Sequence, residues 1–499
     1  MGQTTGAAAS GPFSPGCPTQ LIPLEASMEV LRARLLRQLP AVDEVLHAPE
    51  LAPLLARLSP ARGTETIRRV LGACRQRLLT LPEAELPATL EVKELVAEAA
   101  RSLEALCRPV LRRVINASGV VIHTNLGRSP LAPSVCEAIR QAAAHYTNLE
   151  YDLAAGRRGS RHSLLEALLQ EITGAEGVLV VNNNAAGVLL ALTALAAGRE
   201  VIISRGQLVE IGGSFRMPDI MAVSGAVLRE VGTTNKTYLA DYERAITSQT
   251  AMLLKVHPSN FRLTGFTREV PLAELVALGR RYGLLVAEDL GSGCLVDLSH
   301  YGLEKEPTVQ ETLAADPDLV MFSGDKLLGA PQAGIILGKA PVVQRLRQHP
   351  LTRALRPDKL TLAGLEATLR LYLNETQAAT AIPTLHLLTM PVAEVETRAR
   401  RLARVIRRRW PGRYRVRLVE EVSRSGGGAL PMVPIPTWAL ALELPPLAPH
   451  QLEARLRASD PPVIARLEHD QLLLDVRTIL PADHDALLHV LGRLAEAAA

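Results

Sequence analysis

Short apolar runs rich in β-branched residues alternate with longer helical patterns between residues 110 and 390. The runs lie at residues 177–181, 200–203, 251–255, 284–287, 319–322 and 334–337. Strands that are apolar along their whole length are typical of a parallel or mostly parallel sheet covered by helices on both faces. The pattern therefore predicts a large α/β domain over 110–390, with polar and glycine clusters at the strand ends where such sheets bind ligands.

The chain before this domain has a different pattern, in which leucines recur at helical spacing and prolines interrupt them. Leu31, Leu35 and Leu39 are examples of the spacing. The pattern predicts several short helices and a separate helical domain over residues 23–109. Residues 1–22 consist largely of Gly, Ala, Ser, Thr and Pro, which bury too little apolar surface to offset the entropy of ordering, so a flexible tail is expected there.

A smaller α/β domain is predicted for the last part of the chain, residues 391–499. Its elements are an arginine-rich helix and three strands, near residues 398–409, 415–418, 439–444 and 472–475. A final helix is predicted from about Ala482. The arginine-rich helix could contact RNA or another subunit, but arginine side chains also cover apolar surface with their aliphatic carbons.

Composition narrows the function classes without selecting one. Lys and Arg total 55 against 51 Asp and Glu, and the resulting net charge of +4 permits an RNA-binding surface without requiring one. The 5 cysteines form no C-x-x-C pair, which argues against a disulfide framework or a zinc site and fits a reducing cytoplasm. No apolar run is long enough to span a membrane. We expect a cytoplasmic protein with no metal site.

The most informative pair of residues is Asp289 and Lys326, which follow two successive predicted strands and lie 37 positions apart. A pyridoxal phosphate site needs these two side chains. The lysine forms a Schiff base with the cofactor aldehyde, and the carboxylate pairs with the protonated pyridine nitrogen, which keeps the ring an electron sink. On spacing alone, a solvated loop lysine and a helix-capping aspartate are an equally good interpretation.

A third feature favours the cofactor site. The segment 180–187 leaves a predicted strand and enters a helix predicted over 188–196, so Asn184, Ala185 and Ala186 lie where backbone N–H groups and the helix dipole bind a phosphate. Ser323, three residues before Lys326, adds a hydroxyl. An asparagine-rich helix cap without a ligand is the alternative interpretation.

Three arginines are candidates for binding a tetrahedral oxyanion. Arg353 and Arg356 have the i, i+3 spacing that places side chains on one helical face, and Arg128 follows a separate polar segment. Forked guanidinium donors match phosphate oxygens. The alternative interpretation is that any one of these arginines only belongs to a solvated basic surface and binds no oxyanion.

These residues lie in segments that together resemble one family closely, bacterial selenocysteine synthase. The resemblance runs from about residue 20 to the end of the chain. The matching segments are Arg113–Arg128, Asn182–Ala186, Ser204–Arg216, Gly232–Asn235, Lys255–Asn260, Glu288–Gly293, Ser323–Lys326 and Arg353–Lys359. The chain departs from the family pattern at Gly187 and Ala330, which lie beside the cofactor loops rather than at reacting groups.

The resemblance implies a fold-type-I pyridoxal phosphate transferase with an N-terminal helical domain that holds tRNA, assembled as a homodecamer built from dimers. It implies that Lys326 carries the cofactor, that Asp289 is the pyridine partner and that Asp325 is an active-site residue. It also implies that Arg128 and the arginine pair at 353 and 356 bind selenophosphate.

The implied reaction converts L-seryl-tRNA(Sec) to L-selenocysteinyl-tRNA(Sec). Water is lost by β-elimination to give aminoacrylyl-tRNA, and selenium from selenophosphate then adds; neither DNA nor a membrane takes part. Two alternatives stay open: a pyridoxal phosphate lyase acting on a free small amino acid or amino sugar, and a non-catalytic scaffold that binds RNA. The helical domain argues against the first, and the presence of Lys326 and Asp289 against the second. Candidate RNA contacts are Arg68, Arg69, Arg75 and Arg77, for which a solvated helix face is an equally good interpretation.

Overall fold

The computed structural model describes residues 24–82, 85–211 and 215–497. The tail expected over residues 1–22 lies outside the described residues. The chain divides into two compact units, residues 1–112 and residues 113–499. Each unit is described separately below.

The first unit is helical. Its helices are Leu24–Arg37 (α1), Val42–Leu46 (α2), Ala52–Leu55 (α3), Pro60–Thr80 (α4) and Val92–Cys107 (α5). The longest, α4, begins after Ser59, whose hydroxyl accepts a hydrogen bond from the Arg62 N–H, and has Pro60 at its first position, where a missing N–H costs nothing. Its apolar side, including Ile67 and Leu78, is buried against the other helices.

The second unit contains a seven-stranded sheet. Its strands are Gly177–Val181 (β1), Glu200–Ser204 (β2), Val227–Val231 (β3), Thr250–Val256 (β4), Leu285–Gly291 (β5), Leu319–Ser323 (β6) and Gly334–Gly338 (β7). The strand order is β1-β7-β6-β5-β4-β2-β3. Only β7 runs antiparallel to its neighbours in this sheet, so the expectation of a mostly parallel sheet is confirmed.

Helices cover the sheet on both faces, as the apolar strands predict. In β1, Val178 and Val180 belong to one buried cluster and Leu179 and Val181 to another, as side chains that alternate between two faces must. The helices of this unit up to the small sheet are Pro133–Ala144 (α6), Glu166–Thr173 (α7), Asn184–Ala196 (α8), Met217–Ser224 (α9), Leu239–Ala245 (α10), Leu272–Tyr282 (α11), Val309–Ala314 (α12), Ala340–Gln348 (α13), Leu351–Leu355 (α14), Lys359–Leu371 (α15), Glu375–Ala381 (α16), Pro383–Thr389 (α17) and Val392–Arg409 (α18).

This unit also contains a five-stranded sheet. It contains Arg415–Gly426 (β8), Ile435–Glu443 (β9), Arg466–Glu468 (β10), Gln471–Asp475 (β11) and the early strand Val120–Ile122. The early strand pairs in parallel with the end of β8, so residues near 120 lie beside the C-terminal part of the chain. The last helices are Pro449–Arg457 (α19) and His484–Ala497 (α20).

Three pairs of very short strands complete the fold. They are Ile115–Asn116 with Val463–Ile464, Tyr151–Asp152 with Arg157–Arg158, and Glu210–Ile211 with Phe215–Arg216. Across the described ranges, the helices are all too short or too polar to cross a bilayer.

Candidate active site

Asp289 and Lys326 lie together at the carboxyl edge of the large sheet. Asp289 belongs to β5, and Lys326 follows the adjacent strand β6 by three residues, with Asp289 paired to Met321 in the ladder. Both side chains are buried, with residue exposures of 6% and 5%, and both line one cleft with an empty volume of about 870 Å³. The strand order brings the two groups together, as the sequence predicts.

The carboxylate of Asp289 is held by Asn184. The Asn184 side-chain amide donates to Asp289 Oδ1 over 2.8 Å. Burial raises the pKa of Asp289, and the hydrogen bond from Asn184 and the positive charge of Lys326 oppose that effect. A buried carboxylate is stabilised when a cation with an N–H donor lies against it, and a protonated pyridine nitrogen is such a group.

Lys326 is enclosed by a glycine loop from the C-terminal part of the chain. Burial lowers the pKa of the Lys326 amine below the ordinary lysine value, and Asp289 opposes the shift. Gly428 has a φ of +94°, and a Cβ atom there would lie 2.5 Å from Lys326 Nζ. Only glycine permits this approach. Sequence reasoning missed the role of Gly428, although the run Gly426–Gly428 was a visible signal.

Asp325 pairs with Arg128 at the mouth of the same cleft. Arg128 Nη1 lies 2.7 Å from Asp325 Oδ2, and the pair is largely buried. The Ser129 hydroxyl donates to the backbone carbonyls of Asp325 and Lys326 at 2.9 and 2.7 Å, which fixes the turn that carries the lysine. Of the three predicted oxyanion ligands, Arg128 is the one that lines the cleft.

The predicted phosphate segment begins helix α8. Asn183 is the N-cap, and its Oδ1 accepts from the Ala186 N–H at 2.9 Å, so the helix starts at Asn184, four residues before the predicted start. Asn184, Ala185 and Ser323 line the cleft. The Ala186 N–H donates to this cap, and a role of Ala186 at the phosphate stays a prediction.

The two remaining arginines lie elsewhere. Helix α14 ends at Leu355, and Arg356 has extended backbone angles (φ −66°, ψ 141°) because the residue before Pro357 disfavours the helical conformation. The expectation that Arg353 and Arg356 share one helical face is therefore wrong. Arg353 is exposed, and Arg356 Nη1 lies 3.4 Å from Glu150 Oε1.

The described part of the cleft also contains residues that sequence reasoning did not assign. His257, Ser259 and Gln332 line it. His257 and Ser259 follow β4, the strand beside β5. Their position directly after an apolar strand is the sequence feature that could have identified them as residues of the cleft. Gln207 contacts the same strand β4: its Oε1 accepts from the Val256 N–H at 3.2 Å.

The residues of the cleft fit pyridoxal phosphate. Among the described residues that line this cleft, four buried polar atoms have no hydrogen-bond partner: Asn184 Oδ1, His257 Nε2, Ser259 Oγ and Asp325 Oδ1. A lysine amine for the aldehyde, an aspartate for the ring nitrogen and a helix N-terminus with a serine hydroxyl for the phosphate surround one space. This donor set matches the cofactor group by group.

The fold and site define a pyridoxal-phosphate-dependent enzyme of fold type I. The solved structure of D-glucosaminate-6-phosphate ammonia-lyase has this fold: it matches with a TM-score of 0.55 at 22% identity, covering 79% of this chain and 98% of that chain. A model of the L-seryl-tRNA selenium transferase family matches residues 114–480, and a model of the selenocysteine synthase N-terminal region matches residues 36–75. The chain belongs to the L-seryl-tRNA selenium transferase family.

Individual relatives agree with the family match. The L-seryl-tRNA(Sec) selenium transferase of Geobacter sulfurreducens is 52% identical over 460 residues, which cover 92% of this chain and 99% of the relative. The protein of the same name from Desulfotalea psychrophila is 57% identical over 371 residues, covering 74% of this chain and 80% of the relative. The expected family, fold class and cofactor, pyridoxal phosphate, are confirmed.

Proposed function

We propose that this chain converts L-seryl-tRNA(Sec) to L-selenocysteinyl-tRNA(Sec), with selenophosphate as the selenium donor. Family membership supports the reaction, and one observation on the chain itself carries it: Lys326 and Asp289 are buried together in the cleft. When bound, pyridoxal phosphate supplies an aldehyde for the amino group of serine and a ring that accepts the charge of the α-carbon.

Lys326 holds the cofactor and then serves as the general base. Its lowered pKa favours the neutral amine, which is the form that takes the α-proton of the serine group. Asp289 keeps the ring nitrogen protonated, and Asn184 keeps Asp289 in place. Asp325 positions Arg128 at the cleft through their ion pair.

Arg128, Arg353 and Arg356 form the proposed selenophosphate site. Arg128 lies at the cleft of its own chain, whereas the other two do not line it. The proposal includes a homo-oligomer, a decamer built from dimers, in which arginines of one subunit can serve the cleft of another. The enzyme is proposed to act in the cytoplasm.

The helical unit is proposed to hold the tRNA. Arg68, Arg69, Arg75 and Arg77 are all exposed on α4. Arg68 and Arg75 are two turns apart, which places them on one side of the helix with open space beside Gly72 between them. Recognition of folded RNA depends on shape and backbone contacts, for which a few arginines at fixed positions suffice.

The test is a reaction of the purified, cofactor-loaded protein with labelled seryl-tRNA(Sec), with and without selenophosphate. We expect selenocysteine on the tRNA in the presence of selenophosphate and a dehydrated aminoacyl group in its absence. Seryl-tRNA(Ser) and free serine are the matched controls and should react poorly. Equal turnover of free serine and seryl-tRNA(Sec) would favour the lyase alternative, and a colourless, inactive protein after cofactor addition would favour the scaffold alternative.

A further inference from the structure

His257 and Glu306 form a buried pair that none of the roles above uses. His257 Nε2 lies 3.3 Å from Glu306 Oε1, and the side chains are 16% and 4% exposed. Both atoms are buried without a hydrogen-bond partner, because the direct contact lacks hydrogen-bond geometry. Each of these two polar atoms therefore has hydrogen-bonding capacity that the described residues do not use.

Both residues are fixed by the backbone around them. The His257 N–H donates to the Asp289 carbonyl at 2.9 Å, which ties the imidazole to the strand that carries the cofactor aspartate. The other oxygen of Glu306, Oε2, accepts from the Leu430 N–H at 3.3 Å. Leu430 belongs to the same loop as Gly428, which encloses Lys326, so the pair and the lysine share one wall.

The pair also lies between two spaces. His257 lines the cleft that contains Lys326, and both His257 and Glu306 line a second cavity with an empty volume of about 980 Å³. Histidine is the side chain that gains and loses a proton near neutral pH. The imidazole of His257 therefore borders both the cleft that contains Lys326 and the second cavity.

Loss of water from the serine group requires a proton for the departing oxygen, because hydroxide is a poor leaving group. The acidic groups of the described cleft are otherwise engaged: Asp289 accepts from Asn184, and Asp325 pairs with Arg128. Lys326 is assigned to the α-proton. His257 is the titratable group of the described cleft to which no role has been assigned.

We propose that His257 is the general acid for departure of the β-hydroxyl and that Glu306 is its positioning residue. This inference rests on the proposed function. An imidazolium N–H gives its proton to the β-oxygen while the Cβ–O bond breaks with its electron pair on oxygen, so water leaves and neutral imidazole remains. Lys326 takes the α-proton, and the C–H electron pair becomes the Cα–Cβ double bond. The imidazole is protonated again from solvent.

The test compares leaving groups that do and do not need a proton. Elimination from seryl-tRNA(Sec) and from β-chloroalanyl-tRNA(Sec) is measured without selenophosphate. Both substrates give the same aminoacrylyl product, and the readout is the pyruvate released when that product is hydrolysed. We expect His257→Gln to slow the seryl reaction about 100-fold or more and the chloro reaction less than about threefold, because chloride leaves without a proton. Glu306→Gln should show the same selectivity with a smaller loss.

The cofactor absorption band, measured in each variant, serves as the check that the cleft is intact. Equal slowing of both substrates by both variants would overturn the assignment and indicate a structural role. Unchanged rates would overturn it as well, and would leave Lys326 as the group that both takes the α-proton and gives a proton to the β-oxygen. Wild-type protein that eliminates from neither substrate would overturn the proposed function itself, so the two failures are distinguishable.

Discussion

The charged groups of the cleft and the arginines of α4 differ above all in burial. Lys326, Asp289 and Asp325 are all less than 10% exposed, whereas Arg68 and Arg75 are exposed. Each of the three buried groups interacts with a named partner: Asp289 with Asn184 and Lys326, and Asp325 with Arg128. Removing one member of a buried set leaves an uncompensated charge, while an exposed arginine loses only a screened interaction. In the proposed function, the cleft residues carry out the reaction and the helical unit contributes tRNA affinity through many small contacts.

The largest effect is expected for Lys326→Ala. This change removes the amine that is proposed to join the cofactor and to take the α-proton, so we expect loss of the cofactor absorption band and a fall in turnover of roughly 10³-fold or more. The measurement is the visible spectrum together with seryl-tRNA(Sec) conversion on the same sample.

Lys255 provides the matched control for that experiment. It is the other buried lysine of this sheet, 6% exposed, but its Nζ lies 3.5 to 3.6 Å from Glu269 and Glu288 rather than in the cleft. Lys255→Met should lower stability and keep the absorption band of the folded protein. A band that persists in Lys326→Ala, or disappears in Lys255→Met alone, would contradict the assignment of the cofactor lysine.

A smaller effect is expected for Arg353→Ala, which should impair selenium transfer and spare loss of water. Because Arg353 does not line the cleft of its own chain, we expect it to serve another subunit. Co-expressing Arg353→Ala with Lys326→Ala chains should then restore about a quarter of the wild-type activity, since half of randomly paired dimers contain one intact site of two. No recovery over the separate variants would mean that the site is completed within one chain.

Most of the large sheet could be predicted from the sequence, because strands that are buried on both faces consist of continuous apolar residues. Six of the seven strands were predicted, and the missed one, β3 (Val-Leu-Arg-Glu-Val), lies at the sheet edge with mostly exposed or half-exposed residues. An edge strand with polar residues lacks the continuous apolar run on which the prediction depends.

The closeness of Asp289 and Lys326 was predicted for a similar reason. Asp289 and Lys326 follow successive apolar strands, and the topology of such sheets brings strand ends together. Gly428 approaches Lys326 from a loop far along the chain. No local pattern marks such an approach, since it depends on how the two sheets pack. Pro357, by contrast, is a local feature of the sequence. A proline disfavours the helical conformation of the residue before it, so Pro357 already argued against placing Arg353 and Arg356 on one helical face.

The smallest effect is expected for the double change Arg68→Gln and Arg75→Gln. Each exposed ion pair contributes at most about 1 kcal/mol, so we expect tRNA(Sec) affinity to fall about five- to tenfold at moderate salt, and the dependence of log Kd on log salt concentration to weaken by about one unit per phosphate contact removed. Arg345→Gln, which removes an exposed arginine from α13, should change neither quantity. The absorption band and the turnover at saturating tRNA should stay at wild-type values, because these arginines act on binding alone. A fall in saturated turnover without a change in affinity would mean that the helical unit acts on the chemistry of the cleft, and the contrast between the two regions would fail.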